Sequence, residues 1–176
     1  MRYEPAAVLA PGAVCRDAVV GWISPPLHFL RPRTGLLEGR TLTAEAAAFP
    51  PPFVEGVDEV MATVKRRPVL IVASRPEIQI ARTLRVVPIH RKGDKGFYTR
   101  RWTEIVAGEV AGLIAMPDGR PNYEFDEGVL DLTATQRIDR ALMPTTPWFR
   151  LDDASLVGIV AAMERLLESA LTGRRP

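Results

Sequence analysis

A single histidine stands between an apolar segment and a cluster of basic residues. The stretch "TLRVVPIHRKGDKGFYTRR" covers residues 83–101, and its apolar part predicts a strand over 83–89 that delivers His90 into the basic cluster. Imidazole exchanges a proton near neutral pH, because its ordinary pKa is roughly 6.5. Clustered cations bind phosphate oxygens. The sequence therefore indicates a site that holds a phosphate and moves a proton; a strand end with solvated charges is the simpler alternative.

A second candidate group lies just before the most apolar segment of the chain. The stretch "KRRPVLIVA" (65–73) places Arg67 directly ahead of a predicted buried strand at 68–73. A guanidinium held at the start of such a strand can grip two phosphate oxygens in a fork. It also stabilises the negative charge that grows on those oxygens in a transition state. Arg67 and His90 are thus the candidate catalytic pair, with solvated flanking charge as the alternative for Arg67.

The basic residues around this pair are interleaved with aromatic residues. Cations meet the phosphates of a nucleic acid, and rings stack on unpaired bases, so the pattern is typical of single-stranded RNA binding. A hairpin with solvated charges and a few core aromatic residues is the alternative. The predicted RNA-binding residues are Lys65, Arg66, Arg91, Lys92, Lys95, Tyr98, Arg100 and Arg101.

Composition excludes several other classes. The 176 residues are 47% hydrophobic and 25% charged, which predicts one domain over 1–176. Cys15 is the only cysteine and there are two histidines, so we expect no intrachain disulfide and no metal site built on several thiolates or histidines. There is no Walker loop and no G-x-G-x-x-G motif, and we expect no cofactor. No apolar stretch could span a bilayer, and "MRYEPAAVLAPGAV" lacks a signal-like region, so we expect a cytoplasmic protein away from membranes.

The elements that must position these residues are mostly strands. Proline-rich and glycine-rich breaks predict a long loop insertion at 25–56, after the first strand. The stretch 103–117 favours strand over helix, because Gly108 and Gly112 weaken a helix. Pro88 predicts an edge or a bulge in the strand over 83–89. The other predicted strands are 18–24, 68–73 and a strand–turn–strand unit at 128–144.

The stretch 151–173 predicts one long C-terminal helix, and we expect the tail at 172–176 to be frayed. Asp152 or Asp153 can cap its start, and Gly173 is a natural stop. Its apolar residues recur at helical spacing and predict a core-facing stripe. The predicted stripe consists of Leu156, Ile159, Val160, Met163, Leu167, Ala170 and Leu171.

Four motifs in this order resemble the PemK/MazF (Kid-like) toxins. The motifs are Arg67-Pro68-Val69-Leu70-Ile71-Val72, Val87-Pro88-Ile89-His90 with "RKGDKG" after it, Gln136-Arg137-Ile138-Asp139, and the terminal amphipathic helix. The resemblance covers residues 59–171. This chain departs from the family at His90, where members usually carry threonine or serine, and in its longer first loop.

The resemblance implies a mainly β (α+β) fold, an SH3-like small barrel with a C-terminal helix, working as a homodimer. It implies a toxin of a type II toxin–antitoxin system that is a metal-independent endoribonuclease. Such an enzyme cuts single-stranded RNA at specific sequences by 2′-OH attack, and an antitoxin protein occupies its RNA groove. It places the catalytic arginine at Arg67 and a site residue at His90. The alternative is a non-catalytic barrel that binds RNA or a protein target, as the related gyrase-binding CcdB does.

Overall fold

A computed structural model describes the backbone of residues 1–30, 59–119 and 126–172, and the side chains of 1–20, 66–119 and 126–172. The chain divides into two compact units, Met1–Val20 with Arg66–Pro176 and Gly21–Lys65. The second unit contains the predicted 25–56 insertion, most of which lies outside the described residues. Residues 25–30 are strand and not loop, because proline is compatible with an extended backbone. The expectation of a single domain stays a prediction.

The described strands form one antiparallel sheet in the order β1-β8-β2-β3-β4-β6-β5, with β7 also paired to β4. In the first unit the sheet curls into half a barrel and the chain ends in a long helix, so the fold is α+β. The strands are β1 (Tyr3–Glu4), β2 (Ala13–Leu30), β3 (Glu59–Ile71), β4 (Thr83–Arg91), β5 (Leu113–Met116), β6 (Gly128–Asp131), β7 (Gln136–Asp139) and β8 (Phe149–Leu151). The helices are α1 (Arg75–Ile80), α2 (Gly96–Arg100), α3 (Trp102–Val106) and α4 (Asp153–Thr172).

Strand β4 is central, and its pairing determines where the candidate residues lie. One side of β4 pairs with β3, where Val69 faces Pro88. The other side pairs with β7 up to Val86 and with β6 from Ile89 onward. Pro88 therefore lies between the two pairings on that side, where its missing N–H costs no ladder hydrogen bond. The strand over 83–89 is confirmed, whereas the prediction of an edge strand was wrong.

The stretch 103–117 was predicted as strand throughout, and this was wrong for its first half. Residues 102–106 form α3, and only Leu113–Met116 form a strand. Gly108 and Gly112 both have positive φ, 76° and 78°, so they connect the helix to the strand and do not signal a sheet. At Gly112 a Cβ would also lie 2.7 Å from the Thr133 side chain, so this turn needs glycine.

The predicted C-terminal helix is confirmed as α4, but its buried face is rotated from the predicted one. Ile159 is 2% exposed and packs with Ala162, Met163 and Leu166 against the sheet. Leu167 and Leu171, predicted as core, are 61% and 79% exposed. A helix of 20 residues carries apolar residues on more than one face, so spacing alone did not identify the packed face.

Candidate active site

The two candidate catalytic residues line one cleft of about 520 Å³. Strand β3 positions Arg67 and the adjacent strand β4 positions His90, and the pairing of Val69 with Pro88 brings their flanking residues together. Strand β6 lies on the other side of His90, which faces Val129 in the register. The 3₁₀ turn Lys92–Asp94, directly after β4, places Asp94 on the same cleft. The sheet thus brings together two residues that are 23 positions apart in the sequence.

Arg67 is held by a carboxylate at the edge of the cleft. Its Nη1 donates to Asp94 Oδ2 over 2.6 Å, and the backbone N–H of Arg91 donates to the same oxygen over 3.2 Å. Burial raises the pKa of Asp94, but the hydrogen bonds from Arg67 and Arg91 outweigh it, so the pKa lies below its usual range. Asp94 is therefore ionised at neutral pH. The Asp94 carboxylate thus binds both the Arg67 guanidinium and the Arg91 N–H, and it fixes the guanidinium at the edge of the cleft.

His90 is buried and neutral. Its residue is 8% exposed, and its ring lies 5.5 Å from the Tyr98 ring, centroid to centroid. Burial lowers the His90 pKa to about 4, and the positive charges of Arg67 and Lys95 act in the same direction. Its Nδ1 is buried with no hydrogen-bond partner among the described residues. Buried polar atoms without a partner are rare in folded proteins, and a catalytic role is one of the explanations for them.

A buried aspartate, which sequence reasoning missed, lies beside the imidazole. Asp131 Oδ2 is 4.0 Å from His90 Nε2, which is beyond hydrogen-bonding distance, and it accepts from the Tyr98 hydroxyl over 3.3 Å. That hydroxyl in turn lies 3.1 Å from Lys95 Nζ. The series of hydrogen-bonded side chains Lys95, Tyr98 and Asp131 thus ends next to His90. The sequence contains one signal for this residue, namely a charged residue inside the apolar stretch "GVLDL" (128–132). A carboxylate buried in such a strand needs hydrogen-bonding or charged partners.

Thr133 fixes the orientation of this carboxylate. Its backbone N–H and its hydroxyl both donate to Asp131 Oδ1, over 3.2 Å and 2.5 Å. The other oxygen, Oδ2, therefore faces Tyr98 and His90. A negative charge held there would stabilise a protonated His90 once a proton has been taken up.

Some of the predicted RNA-binding residues are exposed, and others are already held in ion pairs. Arg66 and Arg91 are exposed and line the cleft, and Arg100 is exposed on α2. Lys92 is paired with Glu127 over 2.8 Å and lies above the Trp102 ring. Arg101 is paired with Glu104, and the Lys65 side chain lies outside the described residues.

Tyr98 does not have the predicted base-stacking role. Its residue is only 2% exposed, because its ring packs with Ile105, Leu113 and Val129. A base cannot reach a ring that is covered in this way. Tyr98 instead contributes its hydroxyl to the network beside His90.

The lining of the cleft also contains residues that sequence reasoning did not select. Arg16 and Asp17 of β2 line the cleft together with Trp148, which precedes β8. The Arg16 guanidinium lies 3.6 Å above the centroid of the Trp148 indole. Residue 16 and residue 148 are far apart in the sequence, and their contact depends on the pairing of β2 with β8. No local motif could have predicted it.

The buried imidazole predicts how stability depends on pH. In the unfolded chain His90 has a pKa of about 6.5, and in the folded protein about 4. Between these values the unfolded state binds a proton that the folded state does not, so this contribution to stability is present above pH 6.5 and is lost as the pH falls towards 4. We expect the free energy of unfolding to fall by on the order of 1–3 kcal/mol from this group.

Urea unfolding at several pH values measures this effect. His90→Gln should remove the part of the pH dependence between 6.5 and 4 that His90 contributes. The carboxylates and His28, the only other histidine, remain in the variant and provide the baseline. An unchanged pH dependence in the variant would show that His90 is not held neutral by burial.

The described residues contain neither a membrane-spanning helix nor a metal cluster. None of their helices is long and apolar enough to cross a bilayer. Within 1–20, 66–119 and 126–172, no three His, Cys, Asp or Glu side chains form a group that could hold a metal ion. No protein-family model matches the chain, and no curated protein matches it either.

Proposed function

We propose that this chain is a PemK/MazF-like endoribonuclease of a type II toxin–antitoxin system, which cuts single-stranded RNA without a metal ion. The observation that carries the proposal is the meeting of Arg67 and His90 in one cleft with a neutral imidazole. The four motifs of the sequence resemblance supply the family. The curled sheet and C-terminal helix are compatible with an SH3-like barrel, and this finer assignment is part of the proposal.

The proposed reaction uses the ribose 2′-OH as nucleophile. His90 takes the proton of the 2′-OH, and the 2′ oxygen attacks the adjacent phosphorus as the P–O5′ bond breaks. Arg67 neutralises the negative charge that grows on the non-bridging oxygens. The 5′ oxygen leaves with a proton from solvent, so the products are a 2′,3′-cyclic phosphate and a 5′-OH.

In the proposed reaction, RNA binding makes His90 a stronger base than it is in the free protein. The phosphodiester brings a negative charge next to His90 and Arg67, which raises the pKa of His90 when RNA is bound. Asp131, whose Oδ2 is 4.0 Å from Nε2, favours the protonated imidazole in the same way. Proton transfer to His90 is thus easier in the complex than in the free protein.

The proposal includes partners that follow from the family resemblance. A cognate antitoxin would cover the RNA cleft, and the chain would act as a homodimer. The cleft carries the positive charges of Arg16, Arg66 and Arg91. In the proposal, the same charges that bind RNA phosphates also bind the carboxylates of an acidic antitoxin segment. A cytoplasmic location belongs to the same proposal.

The second candidate is a non-catalytic barrel that binds RNA or a protein. The low basicity of the free His90, with a pKa of about 4, favours it, as does the presence of histidine in place of the family's threonine or serine. The deciding experiment is incubation of purified protein with a long unstructured RNA in the presence of a chelator, with mapping of new 5′ ends. Cuts at a shared sequence support the nuclease. Binding without cuts selects the second candidate.

RNA binding should depend strongly on salt. Three to five phosphate contacts in the cleft would give a slope of about −2 to −4 in a plot of log K against log salt concentration on a single strand. Replacing both Arg66 and Arg91 by alanine should reduce the slope by about 1.4, because each contact contributes roughly 0.7. Fluorescence anisotropy with a 2′-O-methyl RNA measures the slope.

Arg101→Ala is the matched control for the salt dependence. Arg101 is as basic but is already paired with Glu104 outside the cleft lining, so its removal should leave the slope nearly unchanged. An unchanged slope in the double variant would mean that the cleft arginines are solvated charges with no role in binding RNA.

A further inference from the structure

One residue of β2 that lines the cleft has an unusual backbone conformation. Asp17 in β2 has φ of 47°, the only positive φ among the described non-glycine residues. Residues with a side chain adopt this conformation at a cost, and aspartate is one of the few that tolerate it. Such residues cluster at functional sites, where the surrounding structure holds them.

This backbone conformation changes which way the neighbouring side chains point. In a regular strand, neighbouring side chains lie on opposite faces. Here Cys15 and Ala18 are both buried, whereas Arg16 and Asp17 between them are both exposed and both line the cleft. The left-handed residue thus places two adjacent charged side chains on the same wall, as a bulge does.

The backbone conformation is compatible with aspartate but does not require it. Glycine adopts positive φ without cost and would allow the same conformation. The chain instead has a carboxylate there, facing the cleft that holds Arg67 and His90. The side chain is therefore the feature that requires an explanation.

The neighbouring arginine is held against an aromatic ring. The Arg16 guanidinium lies over the Trp148 indole, and the Phe149 ring packs against the same indole, with ring centroids 5.2 Å apart. An arginine held in this way is a platform for a base, because unpaired bases stack on guanidinium planes as well as on aromatic rings. Holding the side chain in place before binding also lowers the entropy that binding would cost.

We propose that Arg16 and Asp17 recognise the base next to the cleaved phosphate, and that the preferred base is guanine. This rests on the proposed RNA-binding function of the cleft. The base stacks on Arg16, and the two oxygens of Asp17 accept from guanine N1–H and N2–H. Guanine alone presents two adjacent donors on its Watson–Crick edge. Adenine and cytosine each present an acceptor beside the amino group, and uracil presents one donor between two carbonyls.

The test is binding of non-cleavable RNA, which separates recognition from cleavage. Fluorescein-labelled 2′-O-methyl heptamers of uridine, with guanine, adenine, cytosine or uracil at the centre, are titrated into the wild-type protein and three cleft variants. The wild type should bind the guanine heptamer about tenfold more tightly than the adenine heptamer, as expected for one well-formed bidentate base contact. Asp17→Asn and Asp17→Gly should bring the two affinities within about twofold of each other. Arg16→Ala should weaken all four heptamers by a similar factor.

The variants are chosen so that a purely structural role would be visible. Asp17→Gly keeps the backbone conformation, so a structural residue would lose nothing, and Glu168→Gln on α4 controls for removal of one exposed acidic charge. Equal binding of guanine and adenine by the wild type, no binding of any heptamer, or an unchanged preference in Asp17→Gly would overturn the proposal. A guanine preference in a protein that cuts no RNA would overturn the proposed cleavage and leave the recognition site standing.

Discussion

Arg67→Ala should lower the rate of RNA cleavage by about 10²–10³, the usual effect of removing one donor that stabilises transition-state charge. The guanidinium is held at the start of the buried part of β3 by Asp94, over 2.6 Å, and it faces the same cleft as His90. In the proposed reaction, the variant lacks the positive charge that stabilises the negative charge growing on the phosphate. Single-turnover cleavage of a mapped RNA measures the loss.

Two further variants separate charge from geometry. Arg67→Lys keeps the charge but loses the planar fork, so it should recover only part of the rate. Arg82→Ala removes an arginine that is also paired with a carboxylate, Asp139 over 2.9 Å, but lies outside the cleft lining. It should cut RNA at the wild-type rate. Equal losses in Arg67→Ala and Arg82→Ala would mean that general destabilisation, and not loss of catalysis, is the cause.

His90→Ala should lower the rate by about 10²–10⁴, the range expected for the loss of a general base. His90→Thr should recover part of that loss, because it restores the side chain that the resembling family usually carries here. Since His90 is only 8% exposed, both changes alter packing, and their melting temperatures must be measured beside the rates. Full activity in His90→Ala would remove His90 from the mechanism and leave Arg67 to carry it.

The pH profile gives a second readout for His90. The acid limb of the pH profile of kcat/KM gives the pKa of the general base in the free protein, where the His90 pKa is about 4. The acid limb of the kcat profile gives the pKa of the same group in the complex with RNA. Because the phosphate charge raises the pKa, the acid limb of kcat should lie at higher pH than that of kcat/KM. Both limbs should disappear in the residual activity of His90→Ala.

Local sequence patterns predicted the elements that carry the candidate pair. The β-branched run after Arg67 and the apolar run before His90 each specify a strand, since such residues suit a buried sheet. That these two strands are neighbours does not follow from the local patterns. It depends on the register of β3 with β4, in which Val69 faces Pro88.

The residues that complete the cleft were beyond local reasoning. Trp148 precedes β8 and reaches the cleft only through the order of strands in the sheet, and the same order places Asp131 of β6 beside His90. The positive φ of Asp17 leaves no trace in composition or periodicity, because the flanking sequence reads as an ordinary strand. The buried face of α4 was also misplaced, since its apolar residues lie on more than one face and only packing selects between them.

A single 2′-deoxy substitution in an RNA substrate tests directly whether Arg67 and His90 activate the ribose 2′-OH. A short RNA that contains one mapped cleavage site is compared with the same RNA lacking only the 2′-OH next to that site, with a chelator present in both reactions. We expect the all-ribose RNA to yield a 2′,3′-cyclic phosphate and a 5′-OH, and the 2′-deoxy RNA to stay intact although it binds equally well. Cleavage of the 2′-deoxy RNA at the same position would contradict this expectation, because Arg67 and His90 would then not be activating the 2′-OH.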